Sequence, residues 1–266
     1  MFLNKKKICF LLLCVFFFRF PTKAKNSDVE YSKEMDKAGN DTIPNTSLKF
    51  QYKQLIIPST LIVYGIIETM VAPKNRMLNY AIGHEVIVHK PDKFEIDDIT
   101  QYVPAASVYA LNFAGIKGKN NFKDRTIILA LSTVFTAATV NAVKYTVKEE
   151  RPDKSASNSF PTGHTAVAFM GAEYLWQEYK DVSVWYGIAG YTVAAGTGVF
   201  RVYNNRHWVG DVAAGAGIGM LSTKLAYWIY PSIQDTFSRN NKKGGNMALY
   251  PFYNGRQSGI SCSIQF

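Results

Sequence analysis

Two histidines stand in polar clusters that interrupt otherwise apolar stretches of the chain. His207 is followed four residues later by Asp211, and Arg201 precedes it by six. On one helical face the carboxylate would lie beside the imidazole, fix its tautomer and raise the nucleophilicity of its free nitrogen. Arg201 offers a planar, permanently charged fork for phosphate oxygens. The pattern indicates attack on a phosphate, although a His–Asp pair by itself is more often structural.

His164 ends the second cluster, Ser-Phe-Pro-Thr-Gly-His, which reads as a turn that enters a helix. The free N–H groups and the positive dipole end of such a helix favour an anion. Thr162 adds a hydroxyl donor, Gly163 allows the backbone to approach a ligand closely, and His164 is able to deliver a proton near neutral pH. The alternative is a helix capped by Thr162 with an incidental histidine.

A third cluster holds two cations at the polar end of an uncharged run. Lys144 and Arg151 are seven residues apart, so on a helix they would share a face two turns apart. Pro152 then stops the helix from continuing. The pair is either an anion clamp or two cations that extend from a helix end towards water.

Taken together, the three clusters resemble the type 2 phosphatidic acid phosphatase and vanadium-dependent haloperoxidase superfamily. The signature of that superfamily is Lys-x6-Arg-Pro, Pro-Ser-Gly-His and Ser-Arg-x5-His-x3-Asp. Residues 144–152 match its first part in full. The second part has Thr162 in place of Ser, which keeps the hydroxyl, and the third has Phe200 in place of Ser. The motifs span residues 144–211, and the resemblance in helix order extends over about 50–231.

The resemblance implies a phosphate cradle made from all three motifs. Lys144, Arg151 and Arg201 would bind the phosphate oxygens and stabilise the charge of the transition state. The hydroxyl of Thr162 and the amide of Gly163 would complete the cradle.

It also implies a reaction that needs no metal or other cofactor. His207 would attack phosphorus and form a phosphohistidine, with Asp211 orienting its ring. His164 would protonate the leaving alkoxide, and water would then release phosphate.

Other polar residues are given structural interpretations. Asp97 and Asp98 precede an apolar segment and are most simply an N-terminal helix cap. His84 and His89 lie outside the signature and are interpreted as surface or packing residues.

The implied substrate is a phosphorylated lipid. The run Arg-Val-Tyr-Asn-Asn-Arg-His-Trp is similar to that of envelope lipid phosphatases from Bacteroidetes-type bacteria, some of which act on lipid A, the leading candidate. Undecaprenyl pyrophosphate, phosphatidate and phosphatidylglycerol phosphate stay open. So do a soluble periplasmic acid phosphatase, a haloperoxidase and, as the alternative of another class, a non-catalytic envelope protein.

The residues that must position these motifs form six apolar segments. Two of them, Thr126–Val143 with 18 residues and Val182–Phe200 with 19, contain no charge. As helices each would reach about 27 Å, close to the thickness of a bilayer core. Frequent Gly and Ala favour close helix packing. We therefore expect an all-α bundle of about six helices, membrane-embedded rather than a buried soluble bundle, with a short strand-like tail where Ala248–Phe266 alternates.

The domain organisation follows from composition. Residues 1–24 have a run of three lysines near the start, then a short uncharged apolar run and a small residue at the end, as in a secretory signal peptide. Residues 25–50 are a flexible polar tail, 51–231 the phosphatase domain and 232–266 a C-terminal tail. Export predicts the cytoplasmic membrane with the site facing the periplasm, or the periplasm itself. Of the three cysteines only Cys262 lies beyond the leader, which leaves no intrachain disulfide and no CxxC metal site.

The charge balance narrows the possible partners. The whole chain has a net charge of +10, but beyond the leader 25 Lys and Arg face 20 Asp and Glu. Three of the remaining cations belong to the phosphate cradle. No basic stripe with interleaved aromatics is present, so nucleic acid is not an expected partner. The sequence does not determine the oligomeric state.

Overall fold

A computed structural model of the protein describes residues 52–71, 82, 95–242, 246–253 and 258–265. The predicted signal peptide, the polar tail of residues 25–50, and His84 and His89 lie outside these ranges. Their interpretation, like the domain boundaries, stays a prediction.

Helices dominate the described part of the chain. A 3₁₀ turn, Tyr52–Leu55, leads into the first α-helix, which continues as a π-helical turn over Ile67–Val71. The α-helices are α1 (Ile56–Ile66), α2 (Asp97–Thr100), α3 (Val103–Phe113), α4 (Phe122–Val147), α5 (Gly163–Tyr179), α6 (Val184–Tyr203) and α7 (Val209–Lys242). The expected all-α bundle of about six helices is confirmed, because six of these are eleven residues or longer.

The uncharged runs form helices longer than the runs themselves. At the start of α4 the side chain of Asn121 accepts a hydrogen bond from the backbone N–H of Asp124 at 2.8 Å, so the helix begins ahead of Thr126. At its other end Lys148 has left-handed backbone angles, with φ of 48°, and stops the helix. This end places Lys144 in the last turn of α4.

Helix α5 lies at the centre of the bundle and packs against α3, α4, α6 and α7, while α1 packs against α7. Small residues allow the close approach that the sequence predicted. A Cβ atom added to Gly215 would lie 2.6 Å from the carbonyl oxygen of Thr162, and one on Gly217 would lie 2.5 Å from that of Pro58. The backbone of α7 therefore touches both the start of α5 and α1.

The largest apolar core lies between α3, α4, α5 and α7. Its fully buried members include Val108, Ile128, Tyr174, Leu175 and Tyr179. Such burial of aromatic and aliphatic surface holds the bundle together away from the motif end.

The chain ends in an antiparallel hairpin of β1 (Asn246–Tyr253) and β2 (Ser258–Gln265). The predicted strand-like tail is confirmed in type. It begins after α7, which continues to Lys242 and so extends past the predicted domain boundary at residue 231.

Within the described ranges one helix, α4, is long and apolar enough to cross a membrane by length and composition. Apolar side chains such as Phe122 and Val134 are exposed along it. Apolar surface of this kind on a helix is typical of a lipid-facing or partner-facing side.

Candidate active site

The three motifs meet at one end of the bundle. Lys144 is in the last turn of α4, His164 in the first turn of α5, Arg201 in the last turn of α6 and Asp211 in the first turn of α7. His207 lies in the loop that joins α6 to α7. Because the helices alternate in direction, residues that are far apart in sequence converge on one surface.

Two expectations about helical faces are wrong. Arg151 does not share a helix with Lys144, because α4 ends at Val147. His207 likewise precedes α7, which begins at Val209, so His207 and Asp211 are not one turn apart on a helix. In both cases a loop brings the two side chains into the same site.

Hydrogen bonds hold the motif loops together. The N–H of Ser159 donates to the carbonyl of Glu149 at 2.9 Å, and the indole N–H of Trp208 donates to the carbonyl of Glu150 at 3.0 Å. The loop after α4 is thus tied both to the turn before α5 and to the turn before α7.

The geometry around His207 fixes which ring nitrogen is free. Its Nδ1 lies 2.9 Å from the carbonyl oxygen of Ser159 and 3.5 Å from Oδ2 of Asp211. A carbonyl only accepts hydrogen bonds, so Nδ1 carries the hydrogen and Nε2 of the neutral ring keeps its lone pair. The ring is 4% exposed. An imidazole that is held in this way is able to act as a nucleophile through Nε2.

Asp211 is itself held in place. The hydroxyl of Ser159 and the backbone N–H of Trp208, at 2.9 Å for the latter, both donate to its Oδ2. Burial lowers the pKa of His207 and the carboxylate of Asp211 raises it, while the charges of Lys144 and Arg151 lower it further. The first and third motifs therefore lie within electrostatic range of each other.

The two cations of the first motif differ in their partners. The Nζ of Lys144 donates to the carbonyl of Asn158 at 2.6 Å. The Nε of Arg151 is buried and has no hydrogen-bond partner among the described residues. A buried guanidinium donor without a partner is costly, so an anion at this point would stabilise it.

Arg201 forms ion pairs with two carboxylates that the sequence analysis interpreted as a helix cap. Its Nε lies 2.7 Å from Oδ2 of Asp97, and its NH2 atom lies 2.8 Å from Oδ1 of Asp98. Ile96, not an aspartate, is the N-cap of α2, and no side-chain cap bond is made there. The capping interpretation of Asp97 and Asp98 is therefore wrong, since both side chains turn towards the site.

His164 joins the same group. Its Nε2 lies 2.9 Å from Oδ1 of Asp98. Burial and then the charge of Arg201 lower the pKa of His164 to about 4, with Asp98 raising it by its charge and hydrogen bond and His207 lowering it again. The histidine is thus poised between a cation and a carboxylate.

The remaining predicted residues lie at the junction of α5 and α7. Thr162 is fully buried, its N–H donates to the carbonyl of Asp211 at 3.2 Å, and its hydroxyl has no partner among the described residues. Gly163 begins α5. The ring of Phe200, which stands where the superfamily signature has Ser, packs edge-on against that of Tyr203 at a centroid distance of 6.5 Å. The proposed phosphate contacts of Thr162 and Gly163 stay predictions.

Sequence reasoning missed the roles of Asp97, Asp98 and Ser159. Asp98 lies 103 residues before Arg201 in the sequence, and Asp97 directly precedes Asp98. No local sequence pattern therefore joins the aspartates to the arginine. Ser159 stood inside the second cluster, but its carbonyl contact to His207 depends on the loop geometry.

Within the described ranges no three His, Cys, Asp or Glu side chains form a possible metal site. The expectation that no cofactor is needed stays a prediction.

Replacing Ser159 by alanine removes one of the donors to Asp211 while the backbone carbonyl that faces His207 remains. Because a hydrogen bond to a charged group contributes about 1.5–3 kcal/mol, we expect kcat to fall by roughly 10- to 100-fold. Phosphate release by the purified variant measures this. The matched control is Ser155→Ala, an exposed serine of the same loop that bonds to Asp153. Equal activities of the two variants would contradict the role given to Ser159.

Known protein families and structures resemble the part of the chain that contains these motifs. Residues 125–235 match the family model of the PAP2 superfamily. This segment contains all three motifs, and the match confirms the resemblance drawn from them.

Two relatives are similar over parts of the chain. The Lipid A 1-phosphatase of Porphyromonas gingivalis is 43% identical over 136 residues, which are 51% of this chain and 31% of that protein. The Bacitracin transport permease protein BcrC of Bacillus licheniformis is 32% identical over 76 residues, 29% of this chain and 36% of that protein. The matched segment thus spans about a third of each relative.

Two crystal structures are similar at a lower level. Aquifex aeolicus LpxE has a TM-score of 0.42 and 22% identity, covering 56% of this chain and 94% of that one. The transmembrane PAP2 type phosphatidylglycerolphosphate phosphatase of Bacillus subtilis has a TM-score of 0.39 and 19% identity, covering 69% and 98%. Both scores are low, so neither bears on function.

Proposed function

We propose that the protein is a metal-independent phosphatase that removes phosphate from a membrane lipid through a phosphohistidine on His207. The observation that carries the proposal is the contact of His207 Nδ1 with the carbonyl of Ser159 at 2.9 Å, which leaves Nε2 free to attack. The cations of Lys144, Arg151 and Arg201 at the same end of the bundle supply the charge that a phosphate requires.

In the proposed reaction Nε2 of His207 forms a bond to phosphorus as the ester P–O bond breaks. The electron pair of that bond stays with the leaving oxygen, which takes a proton from His164. Water then gives a proton to the neutral His164 and attacks phosphorus, and the P–N bond breaks with its electron pair on Nε2 of His207, which releases inorganic phosphate. Asp211 remains a carboxylate and stabilises the positive charge that develops on the ring.

An apolar cavity supports a lipid rather than a small soluble ester. It has a volume of about 500 Å³ and lies between α1, α5, α6 and α7. Its walls include Val202 and Val212, the sequence neighbours of Arg201 and Asp211. An acyl chain that enters this cavity would gain burial free energy of roughly 0.8 kcal/mol per CH₂ group.

Lipid A phosphate is the leading specific substrate. The P. gingivalis protein that is 43% identical to this chain over 136 residues is named a Lipid A 1-phosphatase, and this similarity supports lipid A as the substrate. The apolar helix α4 and the predicted export signal favour the cytoplasmic membrane with the site towards the periplasm. Undecaprenyl pyrophosphate and the glycerophospholipid phosphates remain the competing substrates.

Phosphate release from a panel of substrates in detergent tests the proposal. The panel contains lipid A, undecaprenyl pyrophosphate, phosphatidate, phosphatidylglycerol phosphate and a small soluble phosphate ester. We expect the highest kcat/KM on lipid A. Equal turnover of the soluble ester, together with release of the protein by osmotic shock without detergent, would favour a soluble periplasmic acid phosphatase instead. No turnover of any substrate would leave a non-catalytic envelope protein.

A larger side chain in the cavity is expected to raise KM for the lipid but not for a soluble ester. Ala213 lines the cavity, and the change Ala213→Leu adds apolar volume where an acyl chain would lie. We expect KM for the lipid to rise about tenfold, from the loss of about two buried CH₂ groups, with little change on the soluble ester. Ala138→Leu, at an exposed position of α4, is the matched control. Parallel losses on both substrates would contradict the assignment of the cavity.

A further inference from the structure

Asp98 joins two side chains of the site from outside the three motifs. Its Oδ1 atom lies 2.9 Å from Nε2 of His164 and 2.8 Å from the NH2 atom of Arg201. Neighbouring Asp97 already pairs with Nε of Arg201 at 2.7 Å and is 1% exposed. Arg201 therefore pairs with Asp97 as well as with Asp98, whereas His164 pairs with Asp98 and not with Asp97.

We propose that Asp98 is the positioning residue of the proton donor, and that its carboxylate orients His164 and favours the protonated ring that serves the leaving group. The inference rests on the proposed function, in which His164 is the acid. It gives the site two carboxylate–imidazole pairs, with Asp211 serving the nucleophile His207 and Asp98 serving the acid.

The surroundings of His164 explain why an acid at this position needs a carboxylate. The charged and titratable groups that act on it are Arg201 from α6, His207 from the loop before α7, and Asp98 from α2. Burial and the charge of Arg201 lower the pKa of His164, and His207 acts in the same direction. Asp98 opposes them, and its removal would leave the imidazole still harder to protonate.

The step that depends on Asp98 is the departure of the leaving oxygen. The P–O bond breaks with its electron pair on oxygen, the imidazolium of His164 gives one proton to that oxygen, and His164 becomes neutral. Asp98 remains a carboxylate throughout. An alkoxide is a strong base and needs the proton, whereas p-nitrophenolate is a weak base and leaves without it.

Leaving-group dependence therefore tests the inference. Asp98→Asn keeps the size of the side chain and removes its charge. For a short-chain phosphatidate we expect kcat to fall about 100-fold, within the range for loss of an acid catalyst. For p-nitrophenyl phosphate we expect a loss of less than about threefold, since that reaction needs no acid.

The pH profile gives a second readout. The value of kcat/KM for the alkyl ester should descend as pH rises through the pKa of His164, because only the protonated ring donates. Asp98→Asn should move this descending limb to lower pH, since the group that raises the pKa of His164 is gone. In a His164→Ala background the same change should have no further effect on the alkyl ester.

Asp97→Asn is the matched comparison, because it makes the same chemical change at a neighbouring carboxylate that contacts Arg201 alone of these two side chains. It should lower activity on both esters alike. Equal losses on both esters in Asp98→Asn would overturn the inference, and so would full turnover with tighter inhibition by inorganic phosphate. That last result would mean that Asp98 competes with the phosphate. If the unmodified protein hydrolyses neither ester, the proposed function fails first.

Discussion

Replacing His207 by alanine is expected to lower phosphate release by about 10⁴-fold or more, because loss of the nucleophile removes the covalent route and not a single contact. The structure supports this size of effect, since the ring is 4% exposed and its Nδ1 is held by the carbonyl of Ser159 at 2.9 Å. The measurement is kcat on the best lipid of the panel, in detergent, with the variant purified alongside the unmodified protein.

A control must separate loss of chemistry from loss of fold. The proposed phosphate ligands Lys144, Arg151 and Arg201 remain in the His207 variant, so inorganic phosphate should still protect it against thermal unfolding. A variant that keeps this protection and loses turnover supports the nucleophile assignment. A variant that keeps more than a tenth of the activity would contradict it.

Arg201→Lys has the second-largest expected effect. Lysine keeps the charge but cannot reach Asp97 and Asp98 together with a phosphate oxygen, because it lacks the fork of Arg201. We expect kcat/KM to fall by about 10²–10³-fold, as on removal of one preorganised donor to the transition state. Breaking this pair also weakens the charge compensation of Asp97, which is 1% exposed, so the unfolding temperature should fall.

The matched control for this change is Arg206→Lys. Arg206 lies five residues further on and pairs only loosely with Asp153 at 3.8 Å. Its replacement should change kcat/KM by less than about threefold, because lysine keeps the charge and an ion pair at 3.8 Å contributes little. If both arginine variants lose activity equally, the specific role of the Arg201 fork is contradicted.

Much of this fold was predictable because long uncharged apolar runs indicate helices from the local sequence alone. The run Thr126–Val143 predicted α4, and the structure adds a turn at each end through the Asn121 cap and the left-handed Lys148. The Gly-rich part of α7 predicted close helix contacts, which Gly215 and Gly217 make. These features are local, so sequence alone was sufficient for them.

The site was predictable only as far as its motifs reach. Arg201, His207 and Asp211 stand close in sequence, and their spacing predicted that the His207 and Asp211 side chains meet, although a loop and not a shared helical face brings them together. The pairing of Asp98 with Arg201 spans 103 residues and depends on how α2 meets α6, which no periodicity encodes. Arg151 and His207 lie in loops and not on the expected helical faces. The reason is that α4 ends before Arg151 and α7 begins after His207.

The most direct test of the central claim is to trap the reaction intermediate. The protein is mixed with a radiolabelled lipid phosphate, quenched within the first turnovers and digested, and the labelled peptide is identified by mass spectrometry. The proposed mechanism predicts a base-stable, acid-labile phosphate on His207 that is absent from His207→Ala. Label on another residue, or rapid turnover with no phosphorylated protein at any quench time, would contradict it.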